Sequence, residues 1–271
     1  MQHQMEGGHE ARHDGRVRWP RPSRVRVSLV VPALNEERNL AIVLPRIPEF
    51  VDEVILVDGA STDETVAISR RIRADIRVIG QTRPGKGNAL RAGFAAARGD
   101  YIVMLDADGS MAPEEIARFV EALDSGYDLV KGSRFLPGGG TSDMDAIRRW
   151  GNRWLCGVVN GLYGADFTDL CYGFFAFRRS CLEDLALRTD GFEIETELVV
   201  RALLVGLQVA EVASYEERRV FGESHLHTWR DGGRVLRTAV SRRLARRAPA
   251  IPTPAEAAAP TPQLAPARLQ G

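Results

Sequence analysis

The chain has 271 residues, enough for one large α/β domain with appendages or two small domains. Lysine plus arginine and aspartate plus glutamate both number 36, so no basic excess points to nucleic acid. Three scattered cysteines, Cys156, Cys171 and Cys181, make neither a CxxC metal pattern nor a disulfide framework, and no apolar run approaches the roughly 18 residues of a membrane span. The N-terminus carries charge and histidine but no apolar signal stretch, so a cytoplasmic protein is expected.

Residues 1–24 are His-, Arg-, Gly- and Pro-rich and read as a disordered arm, in which His3, His9 and His13 are given no metal role. Order is expected from Val25, with a first strand that stops at Pro32 and a helix from Glu36 to Leu44. A second strand spans Glu53 to Val57 and ends at Asp58-Gly59. Ser61-Thr62-Asp63-Glu64 has the pattern of a capping box and should open a helix through Ile72. A third strand covers Ile76 to Ile79, and Gly85-Lys86-Gly87-Asn88 precedes a helix from Ala89 to Ala97. A fourth strand begins at Tyr101, and Pro113 sits in the first turn of the next helix. Four strand–helix alternations in about 100 residues predict a mostly parallel sheet with helices on both faces.

The second half is less regular. Asp128 to Val130 is strand-like, Gly138 to Gly140 is a loop, and Ile147 to Tyr163 reads as a helix carrying Trp150, Trp154, Leu155, Val158 and Leu162. Asp169 to Arg179 is aromatic-rich, Glu195 to Leu204 is helical, and two strands follow at Gln208 to Val212 and Ser214 to Val220. The expected domain covers 25–228, followed by a basic amphipathic helix at 229–247 and an Ala/Pro-rich disordered tail at 248–271.

The chemistry centres on the fourth strand. Tyr101 to Leu105 is apolar and leads into Asp106-Ala107-Asp108-Gly109. Aspartate is depleted inside strands, so both acids belong at the strand end. Two carboxylates there suit a hard divalent cation, Mg2+ or Mn2+, whose other positions are filled by water and substrate phosphates. Ligands of open α/β sheets gather at the carboxyl ends of the strands. Gly80 to Lys86 imitates a P-loop, but Gly87 stands where Ser or Thr would be needed.

The segments VPALNEERNL, LVDGASTDET, GKGNALRAG, LDADGS, KGSRF, TDLCYGFFAFRR, GFEIETE and RRVFGESHL, in that order, resemble the family 2 glycosyltransferases. The branch resembled is that of the dolichyl-phosphate mannosyltransferases and other polyprenyl-phosphate glycosyltransferases. The resemblance implies a GT-A fold and inverting transfer of a sugar from a GDP- or UDP-sugar to a lipid phosphate or glycan acceptor. It implies that Pro32, Ala33, Asn35, Glu36 and Asp58 border the nucleotide. Lys86, Asp106, Ala107, Asp108, Arg134 and Arg219 would hold the diphosphate and sugar. Asp169 would be the catalytic base or an orienting group, and Arg178, Arg179 and His225 would meet the acceptor. His225 stands where the family has lysine. Glu193, Glu195 and Glu197 form an acidic cluster that equally suits a helix N-terminus.

Two rival readings lack their signatures. A nucleotidyltransferase or a dinucleotide oxidoreductase needs a glycine-rich loop after the first strand, and Pro32-Ala33-Leu34-Asn35 is none. A non-catalytic nucleotide-binding protein would not need both strand-end acids and Asp169. The arginines of 232–247, with Val235, Leu236, Val240 and Leu244 close to one helical face, lead to the expectation of an anionic membrane surface as partner, on the cytoplasmic side.

Overall fold

The computed structural model describes residues 25–222 together with Gly233, Leu236, Arg237 and Val240. The expected N-terminal arm, His225, the C-terminal tail and most of the basic helix lie outside the described residues.

In chain order the elements are β1 (Val27–Ala33), α1 (Glu37–Val43), β2 (Glu53–Asp58), α2 (Thr65–Ile72), β3 (Arg77–Gly80), α3 (Lys86–Ala96), β4 (Tyr101–Met104), α4 (Ile116–Asp124) and β5 (Leu129–Ser133). They continue with β6 (Gly140–Thr141), α5 (Ala146–Tyr163), β7 (Phe175–Arg178), α6 (Leu182–Leu185), α7 (Ile194–Val205), β8 (Val209–Ala213) and β9 (Tyr215–Glu216). Seven strands form one sheet in the order β3-β2-β1-β4-β7-β5-β8, and β6 pairs with β9 apart from it. All pairings in the large sheet are parallel except those of β7, which runs against both β4 and β5.

Side chains alternate across β1, so the strand feeds two cores. Val27, Leu29 and Val31 meet α1 and α4 through Leu40, Val43, Phe119 and Leu123. Val30 faces the other way, towards α3, α5 and α7, with Phe94, Leu155 and Val199. The sheet is therefore covered on both faces.

The first strand runs past its expected end and includes Pro32. The Val30 carbonyl accepts from Leu105 N and the Ala33 carbonyl from Gly59 N, so even positions here turn towards β4 and odd ones towards β2. The β4 ladder ends at the Val30–Met104 pair. Pro32 thus turns its missing N–H to the space beyond β4, where no ladder bond is lost.

The chain lays β2 and β3 on one side of β1 and then crosses to place β4 on the other. Strand order reverses between β1 and β4, which opens a crevice beyond their carboxyl ends.

Candidate active site

One residue past the end of β4, Asp106, Ala107 and Asp108 enter this crevice. Ala107 turns inward and is buried, leaving its two neighbours directed to the rim. One Asp108 oxygen accepts from Ser110 N and Ser110 Oγ at 3.0 and 2.7 Å, which fixes the carboxylate, and Gly109 makes the turn with φ +78°. The other oxygen lies 2.8 Å from Arg219 Nη2.

Lys86 is the first residue of α3, three positions earlier than the helix expected from sequence. Its Nζ sits 2.8 Å from Asp106 and 2.7 Å from Glu195, which lies in the first turn of α7. Gly173 closes over this trio: a Cβ there would lie 2.6 Å from Glu195 Oε1 and 2.9 Å from Lys86 Nζ. Burial pushes the Asp106 carboxyl up, opposed by Lys86 and reinforced by Asp108 and Glu195, to about 6. Burial disfavours the Lys86 ammonium, but Asp106 and Glu195 outweigh it and raise its pKa.

Beyond β1, Glu36 accepts from Arg219 Nη1 at 3.4 Å and from Asn39 Nδ2 at 2.5 Å. Asn39 also exchanges two hydrogen bonds with the Phe221 backbone, and the Arg38 guanidinium lies 3.7 Å over the Phe221 ring. The 219–221 segment is thereby strapped to α1. Asn35 adopts φ +57°, a conformation asparagine tolerates, and its Oδ1 accepts from Thr62 N at 2.8 Å. It braces the β1 loop against the β2 loop and does not cap α1. Asp58 accepts from Ser61 N in the same loop pair. Pro32 and Ala33 close the floor of the crevice at the end of β1.

Four expected site residues are placed elsewhere or sealed. Arg178 pairs with Tyr101 at the start of β4, because β7 is antiparallel. It therefore stands at the opposite sheet edge, roughly 15 Å from Asp106 at about 3.3 Å per residue. Its guanidinium serves the Leu123 and Tyr127 carbonyls, and Arg179 N donates to the Asp100 carbonyl beside it. Neither arginine belongs to the acceptor side of the crevice. Asp169 is 0% exposed and receives Arg134 Nε at 2.7 Å and Nη2 at 2.9 Å. Arg134 is buried with it and gives Nη1 to both Glu216 oxygens. As placed, the Asp169 carboxylate faces Arg134 and not the crevice, and Arg134 has its Nε, Nη1 and Nη2 engaged by Asp169 and Glu216. The orienting alternative for Asp169 fits this geometry and the base does not. Burial pushes the Asp169 carboxyl up, but the Lys131 charge and the Arg134 bonds outweigh that and hold it below its ordinary value.

The sequence profile described as Glycosyl transferase family 2 matches residues 28–186, more than half of the chain. The chain is a family 2 glycosyltransferase. It is 33% identical to the polyprenol monophosphomannose synthase of Mycolicibacterium smegmatis, over 74% of this chain and 81% of that protein. It is 32% identical to the undecaprenyl-phosphate mannosyltransferase of Micrococcus luteus, over 74% and 88%. Among solved structures it resembles the Mycobacterium tuberculosis glucosyl-3-phosphoglycerate synthase in complex with Mn2+, UDP and glucosyl-3-phosphoglycerate. The TM-score is 0.64 at 25% identity, covering 83% of this chain and 86% of that one. The fold is GT-A, as the order of motifs implied.

Within this glycosyltransferase the oxygen donors at the end of β4 suit a divalent cation. Asp106 and Asp108 provide two carboxylates, and among the described residues no three His, Cys, Asp or Glu side chains converge to enclose a metal. Oxygens from a diphosphate and water would complete the shell of Mg2+ or Mn2+. Glu195 and Gly173 belong to the site although neither was selected from the sequence. Glu195 was visible only as one acid of three. Glu197 instead binds Arg188 N, Thr189 N and Arg201 Nε, fastening the loop before α7.

Proposed function

We propose that this glycosyltransferase moves a sugar from a GDP- or UDP-sugar to a polyprenyl phosphate, with inversion and with Mg2+ or Mn2+ at Asp106 and Asp108. The observation that carries the reading is the meeting of two carboxylates and two side-chain cations, Lys86 and Arg219, in one crevice. That charge pattern suits a metal-bound diphosphate: Asp106 and Asp108 would hold the cation, and Lys86 and Arg219 would be the charged donors for phosphate oxygens. The metal supplies charge neutralisation on the leaving nucleoside diphosphate. Pro32, Ala33, Asn35 and Asp58 border the base and ribose.

An acceptor phosphate oxygen attacks the anomeric carbon on the face opposite the diphosphate. The new C–O bond forms as the sugar–diphosphate bond breaks, with its electron pair leaving on the diphosphate, and a single displacement inverts the centre. An ionised phosphate brings its own nucleophilic oxygen, so this chemistry needs no carboxylate base. That accords with a sealed Asp169, which positions Arg134 and through it the wall beside the crevice. The relatives' names, a polyprenol monophosphomannose synthase and an undecaprenyl-phosphate mannosyltransferase, support the acceptor class. The lipid would be met at the cytoplasmic bilayer surface; among the described residues no helix is long and apolar enough to cross a membrane.

The test is a panel of GDP- and UDP-sugars with Mn2+, offered a short-chain, water-soluble polyprenyl phosphate or 3-phosphoglycerate. Metal-dependent glycosylation of the polyprenyl phosphate is expected. Transfer to 3-phosphoglycerate alone would replace the lipid acceptor by a soluble one.

A further inference from the structure

The periodicity of α5 is helical, but its faces are not those of a helix covering a core. The inward side carries Asn152, Leu155, Cys156 and Val159. The outward side exposes Ile147 at 61%, Trp150 at 66% and Trp154 at 48%. These positions are spaced i, i+3 and i+7, so they lie in one stripe. Arg149 and Arg153 are exposed beside it, and no Asp or Glu occurs from Ala146 to Tyr163. Two of the chain's four tryptophans thus stand in water on one basic helix face, although large aromatics ordinarily bury most of their surface.

We propose that this outer face of α5 docks on an anionic lipid bilayer, with Trp150 and Trp154 at the headgroup level. Tryptophan favours that depth because its ring is apolar and its N–H can still meet a polar partner. The flanking arginines complement anionic headgroups, each such residue raising partitioning about fivefold. A second copy of the chain fits less well, since a two-fold contact centred between Arg149 and Arg153 would set those arginines against their counterparts, the exposed acids Asp143 and Asp145 lying beyond the start of the helix. In the described part of the C-terminal segment Leu236 packs on the core cluster of α3, α5 and α7, while Val240 is exposed at 36%, so the apolar stripe expected to face lipid there is partly engaged.

The placement links the bilayer to the crevice. Asn152 on the inner side of α5 accepts from Leu170 N and Cys171 N at 3.0 and 3.1 Å, next to Asp169. Two residues on, Gly173 closes over Lys86, Asp106 and Glu195. Arg149 lies 5.6 Å over the Phe135 ring, adjoining Arg134. A helix resting on lipid would hold the wall of the site at the headgroup layer. The purpose assigned to the surface rests on the lipid-phosphate reading above, but its test does not.

The test uses the full chain and vesicles of phosphatidylcholine with or without phosphatidylglycerol, including lipids brominated near the headgroup. Wild type should sediment with the anionic vesicles at low salt, be released as salt rises, and lose tryptophan fluorescence to the bromolipid. W150S/W154S should weaken binding at least about tenfold, and R149Q/R153Q about 25-fold. All four positions are exposed, and circular dichroism with donor binding in free solution verifies each variant's fold. Wild-type affinity in W150S/W154S would overturn the proposal and assign any binding to another segment such as 229–247. Self-association in solution that W150S/W154S abolishes would overturn it in favour of a second copy. Transfer to short-chain polyprenyl phosphate without vesicles reports on the acceptor alone, so the two readings fail separately.

Discussion

Replacing Asp169 by asparagine separates a structural acid from a catalytic one. The carboxylate is wholly buried and accepts from Arg134 Nε, Arg134 Nη2 and Cys171 N at 2.7, 2.9 and 3.1 Å. Asparagine keeps the shape but turns an N–H2 towards arginine donors and leaves the buried guanidinium short of a counter-charge. Breaking one side of such a pair costs about 3–5 kcal/mol. For a domain of this size each kcal/mol moves Tm by roughly 2–4 °C, so a fall of about 6–20 °C is expected. Urea and thermal unfolding measure it, and the R134Q/D169N double variant should lose far less than the two single losses combined. The pH dependence has a fixed sign. The folded pKa of Asp169 is depressed, so its contribution is fully present above the unfolded value, about 3.9, and is lost as pH falls through the folded one. The gap between wild type and D169N should therefore narrow below about pH 4. An unfolding midpoint within about 2 °C of wild type together with abolished transfer would refute this reasoning and return Asp169 to the acceptor.

Three further outcomes follow from the crevice. Asp108→Asn should abolish metal-dependent transfer with Tm nearly unchanged, since Asp108 sits at the rim, and excess chelator should silence wild type; full activity in chelator would remove the metal from the mechanism. Because the Asp106 carboxyl is raised to about 6, a bound cation must displace a proton below that pH. Mn2+ affinity, read by electron paramagnetic resonance, should fall about tenfold per pH unit below roughly 6 and level off above it. Gly173→Ala should fold, because the atoms a Cβ would press are the movable tips of Glu195 and Lys86, but donor affinity should drop by at least about tenfold. Unchanged donor affinity would show that the Lys86–Glu195 contact is not needed.

Much of the fold could be read locally. Gly59 marks the end of β2 and the Asp106–Asp108 pair lies just past the end of β4, and the strand–helix rhythm fixes a parallel sheet covered on both faces. Pro32 marks no end, because β1 continues through it. Asp106 and Asp108 were legible because an acid pair after an apolar strand has few places to go. What failed depended on contacts distant in sequence. Nothing local says that β7 runs antiparallel, and that reversal carries Arg178 and Arg179 to the far edge. The 61–64 segment has capping residues but does not form a capping box. Asp63 takes Glu37 N and Thr65 N, Glu37 takes Glu64 N, and α2 begins at Thr65. The α5 period was correct, yet period alone does not say which side faces water: polar Asn152 is inside because it satisfies the 170–171 backbone. Glu195 could not be told from Glu193 or Glu197 without Lys86, which lies 109 residues away.

Binding of nucleoside diphosphate as a function of metal tests the central claim most directly. Isothermal titration of GDP and UDP, with Mn2+ and then with chelator, should give tight binding of one of them only with metal present. That binding should be lost in Asp108→Asn, and Mn2+ without nucleotide should bind weakly because Lys86 and Arg219 already neutralise Asp106 and Asp108. Nucleotide affinity that is equal with and without metal, and unchanged in Asp108→Asn, would contradict the assignment of the β1–β4 crevice as the donor site.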